Sequence, residues 1–156
     1  VRGIKLTGLD AALKLLGVIF SGASANQSGI KIFSGTAAPA DAADLTVTFN
    51  ASDQAIGTCI FSTPFTLNAN TVYRICLTYT ANNAGPSYWV IEDETTYAAD
   101  LDLAGFMGGA MISCISDGGA PAAWTEQPDK CTRMALIFDS QVAAAAAGGA
   151  PHIIGG

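Results

Sequence analysis

The stretch Ile56–Asp93, IGTCIFSTPFTLNANTVYRICLTYTANNAGPSYWVIED, decides the fold. In its first apolar run Phe61, Thr63, Phe65 and Leu67 fall on one face, and Ser62, Pro64 and Thr66 fall on the other. Asn68-Ala69-Asn70-Thr71 breaks the run. In the second, Tyr73, Ile75, Leu77 and Tyr79 oppose Val72, Arg74, Cys76 and Thr78. A further break, Asn82-Asn83-Ala84-Gly85-Pro86, precedes Ser87-Tyr88-Trp89-Val90-Ile91. Alternation with period two, bounded by Asn, Gly and Pro, predicts half-buried antiparallel strands.

Outward from this stretch the chain keeps the same habit. Ile4 and Leu6 alternate within Val1–Leu9, a short strand or an arm. Leu9, Leu13, Leu16 and Phe20 fit a helical stripe, yet Leu13–Phe20 also fits a buried strand. Gly17 would weaken a helix by about 1 kcal/mol and Ser21-Gly22 stops the run, so strand is the expectation. Ile30–Phe33 and Leu45–Phe49 are further strands, with Thr36–Asp44 a surface connection and Asn50–Asp53 a turn. Later, Ala110–Ser116 reads as a strand, a loop follows with Trp124 and Pro128, and Cys131–Phe138 closes the domain as one strand. Many short strands with turn signals between them predict an all-β domain over residues 1–138, an antiparallel β-sandwich or jelly roll.

The tail, 139–156, differs in kind. Five consecutive alanines, Gly148-Gly149, Pro151 and Gly155-Gly156 offer no period-two core. The segment is too short and too glycine-bounded for a self-supporting helix. It reads as a Gly/Ala-rich C-terminal arm, extended or flexible, with Ile153 and Ile154 as its docking anchors on a partner.

Composition narrows the function. The 156 residues suffice for one core without metal or cross-link. Half the chain is hydrophobic and only 13% is charged, which is not a disordered composition and suits a surface partly covered by neighbouring copies. Seven Lys and Arg stand against thirteen Asp and Glu, and the basic residues are scattered, so neither nucleic acid nor an anionic membrane is an expected partner. No run approaches the ~18 apolar residues that span a bilayer. Leu13–Phe20 follows an acidic residue and lacks a charged leader, so it does not read as a signal peptide.

Four cysteines, Cys59, Cys76, Cys114 and Cys131, have no zinc-site spacing, and there is a single histidine. Cys59 joins Phe61 on the core face while Cys76 takes the opposite face. Unless Pro64 marks a bulge they cannot bridge, because a disulfide holds its Cβ atoms roughly 4 Å apart. Cys114 and Cys131 flank one long loop and are the candidate disulfide, with four free buried thiols as the alternative.

No catalytic constellation assembles. His152 lies in the glycine-rich tail, where nothing orients it as a general base. Glu92, Asp93, Glu94, Asp100 and Asp102 form the one charge cluster; Asp100 and Asp102 are the candidate calcium ligands, but the spacing is not that of a calcium loop. No metal or cofactor is expected. Trp89 and Trp124 are candidate glycan-platform or interface aromatics, packing being the plainer explanation. The glycines at 105–109 and 117–119 precede no Lys-Ser/Thr and cradle no phosphate.

From about Leu13 to Phe138 the chain resembles small jelly-roll domains in structural proteins of tailed bacteriophages. Its matching features are Pro64-Phe65-Thr66-Leu67, the polar turn and Thr71-Val72-Tyr73-Arg74-Ile75, then the Tyr88-Trp89 strand. Asp117-Gly118-Gly119, Trp124-Thr125 and Arg133-Met134 continue the pattern into an apolar last strand and a Gly-rich tail. The resemblance implies a non-enzymatic virion component, either a capsid decoration or cement protein or a fibre module. It also implies a homo-oligomer that contacts other virion proteins. Secreted β-sandwich modules share the hairpin pattern, so an extracellular carbohydrate-binding or adhesive module is the alternative.

Overall fold

A computed structural model describes residues 1–20, 27–80, 88–90, 110–115, 123–127, 130–132 and 134–139. Within them, the side chains of residues 2, 88–90, 110–113, 115, 127 and 130–132 stay outside the description. The architecture is all-β and antiparallel. In chain order the strands are β1 (Arg2–Thr7), β2 (Leu13–Phe20), β3 (Gln27–Ser34), β4 (Leu45–Thr48), β5 (Thr58–Leu67), β6 (Tyr73–Tyr79), β7 (Tyr88–Val90), β8 (Ala110–Ile115), β9 (Thr125–Gln127), β10 (Lys130–Thr132) and β11 (Met134–Phe138). One short helix, α1 (Ala51–Ile56), interrupts them. A large sheet has the order β4-β3-β6-β1-β8-β9, a small sheet has the order β11-β2-β5, and β10 pairs with β7.

One hydrophobic cluster takes side chains from both larger sheets. Ile4, Leu6, Ile30, Ile32, Tyr73, Ile75 and Leu77 come from the large sheet, and Leu15, Val18, Phe20, Cys59, Phe61, Leu67 and Leu136 from the small one. Alternation puts them there, since successive side chains of a strand point to opposite sides of the sheet. Aromatic contacts tie the layers together: Phe20 stacks on Phe49 with ring centroids 4.4 Å apart, and Phe65 meets Tyr73 edge to face at 6.1 Å. The Tyr73 hydroxyl then accepts the Asn68 N–H at 2.9 Å, so its polar end is satisfied inside the packing.

The expectation for Val1–Leu9 sharpens. It is no arm: β1 lies inside the large sheet, bonded to β6 on one side and β8 on the other. Gly3 makes that position habitable. A Cβ there would sit 2.1 Å from the Ile75 carbonyl oxygen and 2.7 Å from Cys76 Sγ.

Two expectations are corrected. Asn50–Asp53 is not a simple turn but the start of α1. The Asn50 side chain accepts the Asp53 N–H at 2.9 Å and the Asp53 carboxylate accepts the Asn50 N–H at 2.9 Å, a reciprocal cap. Gly57, at φ 68°, ends the helix in the left-handed conformation that glycine adopts without strain. Gln54 donates to the Gln27 carbonyl at 2.7 Å and holds the helix against β3. Second, Cys131–Phe138 is not one strand. Its described residues fall into β10, which pairs with β7, and β11, which pairs with β2, so Thr132 does not share a sheet with Met134, Leu136 and Phe138.

Pro64 does accompany an irregularity. The β2–β5 register jumps from Leu15↔Phe65 to Gly17↔Ile60, as expected where a residue without an N–H cannot join the ladder. On the other side of β2, Phe138 pairs with Leu15 and Ile137 with Gly17, which leaves Leu16 as an extra residue. Leu16 and Gly17 therefore both fall on the outward side.

Candidate functional site

Each of the two packed sheets has an outer face, and these faces hold what the chain can present to a partner. On the large sheet the row Lys31, Cys76, Gly3, Cys114, Glu126 runs across β3, β6, β1, β8 and β9 in register. Cys76 and Cys114 flank the side-chain-free Gly3, and both are 0% exposed. Burial, followed by a hydrogen bond with Cys114, pushes the Cys76 thiol well above its ordinary range. Cys59, on the core face of the small sheet, is also raised, by burial and then by the Asp53 carboxylate.

On the face that carries Arg74, Cys76 and Thr78, the isolated chain already covers the Cys76 thiol. Phe33, beside it on β3, is buried as well. Trp124 explains part of the cover. Its ring meets Phe33 edge to face at 5.2 Å, and the Arg74 guanidinium lies over it at 5.5 Å. Its Nε1–H donates to the Ala37 carbonyl at 2.8 Å. Arg74 in turn donates to the Gly35 carbonyl at 3.2 Å. Lys5 and Glu126 form a salt bridge on the same face. Trp124 is thus a clamp joining β9 to the connection after β3, with its indole N–H and ring already engaged.

The outer face of the small sheet is different. Register places Ile137, Gly17 and Ile60 in one row and Ala135, Ile19 and Thr58 in the next. Ile60 is 61% and Ile19 42% exposed, and Leu16 joins them through the bulge. Lys14 supplies charge at one end. Ile56, at the end of α1, is 69% exposed. Ile19 and Ile60 thus place solvent-facing aliphatic surface on one sheet face.

The remaining expected residues divide as follows. Cys114, half of the expected pair with Cys131, is a free thiol turned toward Cys76, as are Cys59 and Cys76 free thiols. Cys131 and Trp89 are opposite each other in the β10–β7 ladder, and their side chains lie outside the described residues. Glu92, Asp93, Glu94, Asp100, Asp102, His152, Ile153 and Ile154 lie outside them altogether. Among the described residues no group of three or more His, Cys, Asp or Glu side chains is placed to hold a metal ion. Nor, among them, is any helix long and apolar enough to cross a membrane.

Sequence reasoning missed the aliphatic face because Leu16, Ile19 and Ile60 sit in runs that read as core throughout. The signal was there in Leu13–Phe20: eight residues with one lysine exceed what one buried face needs. Comparison with known protein families, curated proteins and solved structures finds no match to this chain.

Proposed function

We propose that this chain is a non-enzymatic structural protein of a tailed-bacteriophage virion, a capsid decoration or cement protein or a fibre component. In this reading the two packed sheets form a β-sandwich of the jelly-roll kind, and copies hold to each other and to lattice neighbours by covering apolar surface. The observation that carries it is the solvent-facing Ile19 and Ile60 on the outer face of the small sheet. Low charge and the Gly/Ala-rich arm support it. Association would also stabilise each subunit by mass action.

The test is light scattering of the full chain across concentration, together with co-sedimentation with phage particles. Concentration-dependent oligomers are expected. Ile60→Asp should weaken association about tenfold or more, because a carboxylate would be desolvated in the contact. A chain that stays monomeric at every concentration and ignores particles would sink the proposal. The alternative, a carbohydrate-binding or adhesive module, would need binding on a glycan array that Trp124→Ala removes. Nothing in the surroundings of Trp124 favours it, since Phe33, Arg74 and Ala37 already engage the side chain.

A further inference from the structure

The outer face of the small sheet raises a question of size. Three strands at ~4.8 Å spacing and about five residues of length give a patch of roughly 14 by 17 Å, on the order of 250 Å². A stable complex between two proteins buries ~800 Å² on each partner. A second copy laid flat on this patch alone would hold no better than a crystal contact. A tethered segment needs far less area, because its translational freedom is already restricted and its effective concentration is in the millimolar range.

We infer that the occupant of this face is the C-terminal segment 140–156 of the same chain, seated through Ile153 and Ile154 on Leu16, Ile19, Ile60 and Ile137. Three observations converge. The first is where the described chain stops. β11 belongs to the small sheet, and the Asp139 N–H bonds the Lys14 carbonyl at 2.9 Å, so the segment leaves beside the face itself. The second is reach. Gly17 lies three residues along β2 from Lys14, a distance of ~10 Å. Ile153 lies fourteen residues beyond Asp139 (153 − 139 = 14), and an extended chain covers roughly 45 Å over that length. The third is chemistry. Residues 140–156 contain no Asp, Glu, Lys or Arg, and the face they would cover groups Leu16, Ile19, Ile60 and Ile137 with Thr58, its one charge being Lys14 beside Thr66 at the end. Gly148-Gly149 would permit the reversal this seating requires, since glycine adopts turn conformations without strain.

This bears on the same face that carries the virion reading, because a tail seated on its own subunit covers Ile19 and Ile60 until it is displaced or exchanged; capture is read by crosslinking in dilute monomer and particle binding by co-sedimentation, so either can fail alone. The two are compatible, because the same segment exchanged between neighbours would link copies through the same contacts.

The experiment uses the full chain with p-benzoylphenylalanine in place of Ile60, which is exposed enough to accept it, and a control with the same group in place of the exposed Thr46 on β4. After irradiation of dilute protein, digestion and mass spectrometry should place the crosslink from position 60 within residues 142–156, inside a monomer, and find no such link from position 46. Ile153→Ser with Ile154→Ser should lower the yield about tenfold, in keeping with two aliphatic anchors lost from water-excluded contact. Unchanged yield in that variant, crosslinks to another segment, no crosslink at all, or crosslinks found only in covalent dimers would each overturn the assignment to the chain's own tail.

Discussion

The outer faces of the two sheets are built on opposite plans. The large sheet's face is closed from within: Phe33, Cys76 and Cys114 are buried by the chain's own residues, Arg74 lies over Trp124, and Lys5 pairs with Glu126. The small sheet's face leaves Ile19 and Ile60 to solvent. Alternation alone would give both faces the same standing, as the polar side of a half-buried strand. What separates them is the identity of single residues. Gly3 removes a side chain where Cys76 and Cys114 must meet, and Trp124 folds over the neighbouring rows. On the small sheet the bulge at Leu16 instead adds an apolar residue to the outside.

The largest effect expected from breaking this contrast is at Gly3. Gly3→Val would press a branched side chain into the Ile75 carbonyl and the Cys76 sulfur, and neither is the loose end of a flexible group. We expect a loss of about 3 kcal/mol or more, read by urea unfolding, as overpacking at a site that cannot relax commands. A change under about 1 kcal/mol would mean that β1 can leave its place between β6 and β8.

Trp124→Ala comes next. It removes the indole contact with Phe33, the Arg74 stacking and the hydrogen bond to Ala37, and the cost should be about 2 kcal/mol, less than for a fully buried tryptophan. Trp124→Phe should recover part of this but not the hydrogen bond. Losing nothing in either variant would show that the face is closed by other parts of the chain.

How far the sequence carried is visible in these residues. The alternation in Ile56–Asp93 located β5, β6 and β7, while Leu13–Phe20, whose period fits helix and strand alike, was correctly read as a strand from Gly17 and the Ser21-Gly22 stop. Asn50 and Asp53 carried a capping signal that the short span before Gly57 disguised as a turn. Partnerships were not legible. That β1 inserts between β6 and β8, and that β10 and β11 part company, depends on contacts over long separations that no local pattern records. For the same reason the faces could be listed but their cover could not: Trp124 reaches Ala37 and Phe33 from the far end of the chain.

The buried thiols give a pH dependence. Cys76 and Cys59 are held protonated in the folded chain, with raised pKa values, while unfolded cysteines ionise near ~8.5. The folded state therefore binds more protons than the unfolded one above that pH, and stability should fall as pH rises beyond it and be indifferent to these groups below. Unfolding midpoints from pH 7 to 10 test this against a Cys59→Ala, Cys76→Ala variant, whose alkaline decline should be shallower. Equal slopes would place the dependence elsewhere.

The smallest expected effect lies on the open face, and it discriminates most finely. Ile60 has little to pack against within the described chain, and threonine suits a strand as well, so Ile60→Thr should cost about 0.5 kcal/mol or less. The informative quantity is its coupling to the tail. Where Ile153 rests on Ile60, the double variant Ile60→Thr, Ile153→Ser should be less destabilised than the sum of the singles, by about 0.5 kcal/mol. Full additivity would mean that the isolated subunit leaves the face bare. The two sheets would then differ not in what covers them but in whether anything does, and the cover would have to come from the assembly.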